Sequence, residues 1–246
     1  MLAFLGLSEN RCRFAMFKQV WVRFRACLSA NLMVGFAIWL VAGLTCFAYY
    51  ENEECRQALN FLKELKNSWG FAYSALFTAF FGGMLPYLIL LFRKSIPKRQ
   101  RISWFLFFLF FWAFKGVEVD AFYRLQAMLF GDLVNPITVV KKVSMDLFVY
   151  CVFWSGPMTA LCYAWKKADF KWRKFASYLG WGNFAEETLF LLLSTWIIWL
   201  PALTVVYAMP TDLQMPMFNL TLLFFVLMIS VAKRSEEFEE KFLQSG

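Results

Sequence analysis

Thirteen uncharged residues, Ile102 to Phe114, run without a break into Lys115-Gly-Val-Glu-Val-Asp-Ala-Phe-Tyr-Arg124. The stretch from Trp104 to Trp112 is apolar on every side. It is nevertheless too short to cross a bilayer, which takes about 20 residues at a rise of roughly 1.5 Å each. A spanning helix must therefore continue through Lys115 and Glu118 and on towards Asp120. Ionisable groups at that depth cost about 2.5–3.5 kcal/mol apiece on insertion scales unless they are paired or wet. Whatever fold the chain adopts has to supply those partners or that water.

Composition settles the class. The 246 residues are 61% hydrophobic and 21% aromatic, with a mean hydropathy of +0.53. A soluble domain of this length has no interior large enough for 31 Phe and 11 Trp. The expected fold is all-α, a polytopic helical membrane protein. A β-barrel is excluded because its strands alternate polar and apolar residues, whereas these runs are continuously apolar. The net charge of +8 comes from short basic clusters between apolar segments, a topology signal rather than a nucleic-acid-binding face.

Chemistry is constrained too. The chain has no His, which removes the commonest general base and metal ligand. Six Cys, at 12, 27, 46, 55, 151 and 162, show neither metal-ligand spacing nor a disulfide framework, and read as small packing residues. No cofactor or metal is expected. Neither a Gly-x-Gly-Asp protease pattern nor a phosphate-cradling glycine loop is present, so an enzyme is not expected.

Six spans are predicted: Leu28–Tyr49, Ala72–Phe92, Ile102–Phe122, Val143–Trp165, Leu189–Tyr207 and Pro216–Ala232. Between the first two, Leu59, Leu62 and Leu65 recur at helical spacing and predict a surface helix. Eighteen Lys and Arg fall on one face, in the N-terminus (Arg11 to Arg25), residues 93–101, residues 166–174 and the C-terminal tail. Arg56, Lys63, Lys66, Lys141 and Lys142 fall on the other, and Lys115 and Arg124 belong to the third span. This alternation predicts both termini in the cytoplasm or its organellar equivalent. The basic stretch before the first span is followed by a run long enough to cross, so it reads as an uncleaved anchor.

Pro86, Pro157 and Pro201 fall inside spans, with Gly83 one turn before Pro86, and predict helix kinks. In the third span Lys115 and Glu118 are spaced to pair, as are Asp120 and Arg124. Asp146, early in the fourth span, is expected at the same depth, with Tyr123 and Gln126 adding hydrogen-bonding capacity. Asn219 is a further polar group in the last span. These residues either line a polar constriction or serve as interhelical and interfacial charges.

The same positions carry a resemblance. Gly116-x6-Tyr123, then Lys142-x3-Asp146, then Trp199-Leu-Pro201, then Met209-Pro210 through Leu213-Gln214 and Asn219 to Ile229-Ser230 occur in that order on matching apolar segments. This pattern resembles the Mpv-seventeen / twenty-two-kilodalton peroxisomal membrane protein family over about residues 71–232. Departures occur at family positions occupied by His, Gln and Tyr-Arg, where this chain has Asp120, Leu147 and Leu213-Gln214. The resemblance implies an organelle-type multi-pass membrane protein with channel-like passage of small solutes. It leaves residues 1–70, with the first span and surface helix, as an addition to a family-like domain at 71–246.

Three functional readings follow: a pore for small solutes or ions, a non-conducting membrane scaffold that binds lipids or partners, and a coupled transporter with Asp120 or Asp146 carrying a proton. The expected partners are the lipid bilayer and small solutes or ions, with a homo-oligomer possible and no nucleic acid. The expected location is a bacterial inner membrane or an organelle membrane.

Overall fold

The computed structural model describes residues 35–179 and 181–226. The N-terminal basic stretch, Cys12, Cys27, the first residues of the first predicted span, Ala232 and the charged tail lie outside them. Among the described residues the chain is helical, with no strand. The helices are α1 (Gly35–Glu51), α2 (Glu53–Trp69), α3 (Phe71–Phe92), α4 (Lys98–Phe130), α5 (Pro136–Lys167), α6 (Trp172–Tyr178), α7 (Trp181–Tyr207) and α8 (residues 211–226). Three of them, α3, α4 and α5, are long and apolar enough to cross a membrane.

Local chemistry sets the boundaries. The Asn52 side chain accepts from Cys55 N at 3.0 Å and caps α2. Arg56 reaches back to the Tyr49 and Tyr50 carbonyls at 3.1 and 2.7 Å, satisfying the last turn of α1. Gly131 ends α4 at φ 83°, and Asn135 caps α5, accepting from Thr138 N at 2.9 Å ahead of Pro136. α4 therefore outruns the predicted Ile102–Phe122 by two turns, and α5 starts seven residues before the predicted Val143. Lys141 and Lys142, expected in a loop, lie inside α5, with Lys141 exposed and Lys142 buried.

α4 is inverted relative to a soluble helix. Ile102, Leu106, Phe110 and Phe114 form an exposed apolar stripe at four-residue spacing. Its buried face carries Phe108 and Phe111, then Lys115, Gly116, Asp120, Tyr123 and Gln126. Such a surface suits hydrocarbon, and it is the structural counterpart of the high hydropathy.

α3 and α4 pack backbone to backbone. A Cβ at Gly116 would overlap the Ser74 carbonyl oxygen, and one at Gly83 would sit 2.6 Å from the Phe108 carbonyl oxygen. Close approach through small residues is how helices associate where lipid is as apolar as the side chains.

Two of the predicted kink positions, Pro86 and Pro157, share a geometry. Residues Ala79–Met84, including Gly83, form a π-turn directly before Pro86, with Leu85 N donating to Phe80 O. Met145–Ser155 is a longer π stretch ending two residues before Pro157. A proline lacks the N–H of the α-ladder and its ring crowds the carbonyl four residues back, and widening the preceding turn relieves both. Pro201 lies inside α7.

By compactness the described residues form two units: residues 35–146 with 200–226, and Leu147–Trp199. In the second unit the Trp196 indole donates to Leu147 O at 3.0 Å while its ring meets Phe148 edge-on. Ala164, Ala168 and Phe175 are buried together under Leu161, Trp165 and Tyr178.

Candidate functional site

The polar side chains of the first unit form a seam along the buried face of α4. Lys115 Nζ donates to Glu118 Oε1 at 2.6 Å within one turn, the spacing that the sequence predicts. Arg124 Nε lies 3.2 Å from Asp120 Oδ1, the second predicted pair. Arg124 is half exposed and stacks its guanidinium over the Phe71 ring at 4.5 Å.

Asp120 has further partners from other helices. Lys66, on α2, places Nζ 2.7 Å from Asp120 Oδ2, and both side chains are almost completely buried. Ser74, on α3, donates to the same oxygen at 2.7 Å. The Gly116 contact makes this possible, because it lowers α3 onto α4 one turn from Asp120. Lys66 Nζ also approaches Gly70 O at 3.3 Å, at the joint between α2 and α3. One carboxylate thus joins three helices.

Asp146 belongs to a different group. Its Oδ2 accepts from the Tyr207 hydroxyl at 2.6 Å, and that hydroxyl accepts from Gln126 Nε2 at 2.8 Å. The Tyr123 ring meets Tyr207 edge-on at 5.2 Å and Phe218 at 6.3 Å. Gln126 lies six residues beyond Asp120, about 9 Å further along the axis, and eleven beyond Lys115, about 16 Å. The expected single charged level is therefore resolved into an ion-pair cluster around Asp120 and hydrogen bonds that run from Gln126 through Tyr207 to Asp146.

Asn219 stands apart from both. Its Oδ1 accepts from Thr78 at 2.8 Å and ties α8 to α3. Nearer the ends of the helices, Lys63 pairs with Asp212 at 3.2 Å and Thr211 donates to Asp132 at 2.8 Å. α2 is therefore fastened twice, by Lys63 to α8 and by Lys66 to α4.

Sequence reasoning missed Lys66, Ser74, Thr78 and Tyr207 as members of the seam. Lys66 leaves a trace: it shares the stripe of Leu59 and Leu62, where a solvated helix would carry an apolar side chain. Ser74 and Tyr207 leave none, since each meets its partner across more than forty residues. Chemically the seam offers one carboxylate saturated by cations and a hydroxyl, and one directional chain from amide through phenol to carboxyl. Comparisons with protein-family models, curated proteins and solved structures give no match.

Proposed function

We propose that this chain is a six-span integral membrane protein, with both termini on the cytoplasmic or equivalent side, that forms a channel-like path for small solutes or ions. The supporting observation is the inversion of α4, which buries Lys115, Asp120 and Gln126 while Ile102, Leu106, Phe110 and Phe114 stay exposed. A bundle held only by packing in lipid needs small residues at its contacts, and the Gly116 and Gly83 contacts already provide them. Lys66, Lys115, Asp120 and Gln126 go beyond that requirement. Burying an ion pair contributes little stability compared with apolar residues of the same volume, so its retention calls for another role. On this reading the described conformation is closed, with the Lys66–Asp120 bridge shutting the path. The resemblance to the Mpv-seventeen / twenty-two-kilodalton peroxisomal membrane protein family rests on motifs alone and points the same way. The location is a bacterial inner membrane or an organelle membrane.

A second reading, a non-conducting scaffold for lipids or partners, draws on the depth of the same groups. Lys66, Lys115 and Asp120 are buried against partners rather than lining an open vestibule. Purified protein in planar bilayers and in solute-loaded proteoliposomes separates the two. The pore reading expects current or flux, with charge selectivity altered in Asp120→Asn and Glu118→Gln variants shown to be folded. A wild-type protein silent in both assays overturns it in favour of the scaffold.

A further inference from the structure

Where α5 ends, the chain turns through four residues, 168–171, and enters α6. The turn is a helix-capping motif: Phe170 N donates to Trp165 O at 3.1 Å and Asp169 N to Lys166 O at 3.0 Å. Asp169 and Phe170 both adopt left-handed backbone, at φ 53° and 58°, a conformation costly for residues with a Cβ. The aromatic cluster holds it, since Trp165 touches Phe170, Trp172 and Phe175 edge-on and Phe175 is buried with Ala164 and Ala168.

This fold gives α6 two faces. On a helix Trp172, Phe175 and Ala176 share one side, and Leu179 follows on the same side just past the end. Phe175 turns inward, but Trp172 is 68% exposed and Leu179 37% exposed. Around them, residues 166–174 carry Lys166, Lys167, Lys171, Arg173 and Lys174 against one carboxylate, Asp169. Lys174 lies 3.8 Å from that carboxylate, and Lys166 and Lys167 lie over the Tyr163 and Tyr178 rings. Lys171 and Arg173 are exposed and make no ion pair or hydrogen bond through their side chains among the described residues. The basic segment at 93–101 differs, because its apolar residue Ile96 is buried against the protein.

We propose that α6 and its turn form a seat for anionic phospholipid headgroups, with Lys171 and Arg173 taking the phosphate and Trp172 lying at the boundary between headgroups and acyl chains. Charge complementarity selects the lipid. The seat follows directly on the apolar helix α5, where Trp and basic side chains match the bilayer interface. This inference does not depend on whether the protein conducts.

The test is lipid retention by the full-length protein in detergent, measured by native mass spectrometry with phosphatidylglycerol or phosphatidylcholine. Wild type is expected to retain phosphatidylglycerol preferentially, and Lys171→Gln with Arg173→Gln to reduce that preference by roughly tenfold. Trp172→Ala is expected to weaken retention of both lipids. The charge-conserving pair Lys171→Arg and Arg173→Lys should keep the preference, which separates lost charge from lost fold. Equal retention of the two lipids by wild type overturns the proposal. So does an equal loss in Lys98→Gln with Arg99→Gln, since the effect would then be general basicity. Full displacement by millimolar inorganic phosphate, with acyl chains making no difference, would identify a free-anion site and also overturn it.

Discussion

Asp120 and Asp146 are buried to nearly the same extent, 3% and 4% exposed, yet they are accommodated by different chemistry. Asp120 takes two cations and a hydroxyl from three helices. Asp146 takes the phenol of Tyr207, itself held by Gln126. A cation offsets desolvation with a long-range field but loses its own hydration in the process. A phenol offsets it with one short, directional bond and brings an apolar ring to pack. The Lys66 and Arg124 contacts to Asp120 act through charge and the Tyr207 contact to Asp146 acts through geometry, so these contacts should fail in different ways.

The largest expected effect comes from removing a charge at Asp120. Lys66→Met leaves a buried carboxylate without its inner cation, and a loss of about 3–5 kcal/mol is expected in SDS-titration or steric-trapping measurements. Asp120→Leu in the same chain should recover most of that loss. If the two changes prove additive, the bridge is not a coupled unit, and the contrast with Asp146 collapses.

A smaller loss tests the backbone contact beneath that cluster. Gly116→Ala places a methyl group against the Ser74 carbonyl and forces α3 and α4 apart, for which overpacking predicts about 1–3 kcal/mol. The Tyr207 environment should be unaffected if the two groups are independent. Near-ultraviolet circular dichroism of this variant checks that independence, although the aromatic signal must be compared with a Tyr207→Phe reference.

Tyr207→Phe keeps the ring and deletes the bond, leaving a buried carboxyl oxygen short of a donor. A loss of about 1–3 kcal/mol is expected, insensitive to salt. Arg124→Met should be the mildest, under about 1 kcal/mol and weaker still at high ionic strength, because that guanidinium is half exposed and screened. An Arg124 effect as large as that of Lys66 would mean that the outer cation, not the inner one, neutralises Asp120.

What could be read in advance follows the same division. Lys115–Glu118 and Asp120–Arg124 were legible because helix periodicity places residues three and four apart side by side. The helical membrane class was legible from the runs around Trp104–Trp112. The Lys66–Asp120 bridge spans 54 residues, and no local rule reports such a pairing. Pro86 and Pro157 marked where the helices depart from α geometry, but the π-turns that accommodate them depend on hydrogen bonds that residue types do not encode. The grouping of Asp146 with Gln126 rests on Tyr207, which lies 61 residues from Asp146 and 81 from Gln126, beyond any local rule.

The Lys66–Asp120 bridge also has a consequence for the order in which the protein is made. Synthesis delivers α2 before α4, so the ammonium exists before the carboxylate that it will neutralise. When the charged end of α4 emerges, its counter-ion is already tethered to the preceding helix. A chain shortened to begin at residue 71 would lack Lys66 and leave Asp120 with the Arg124 and Ser74 contacts. In this respect α2 supplies in advance the counter-ion that α4 requires.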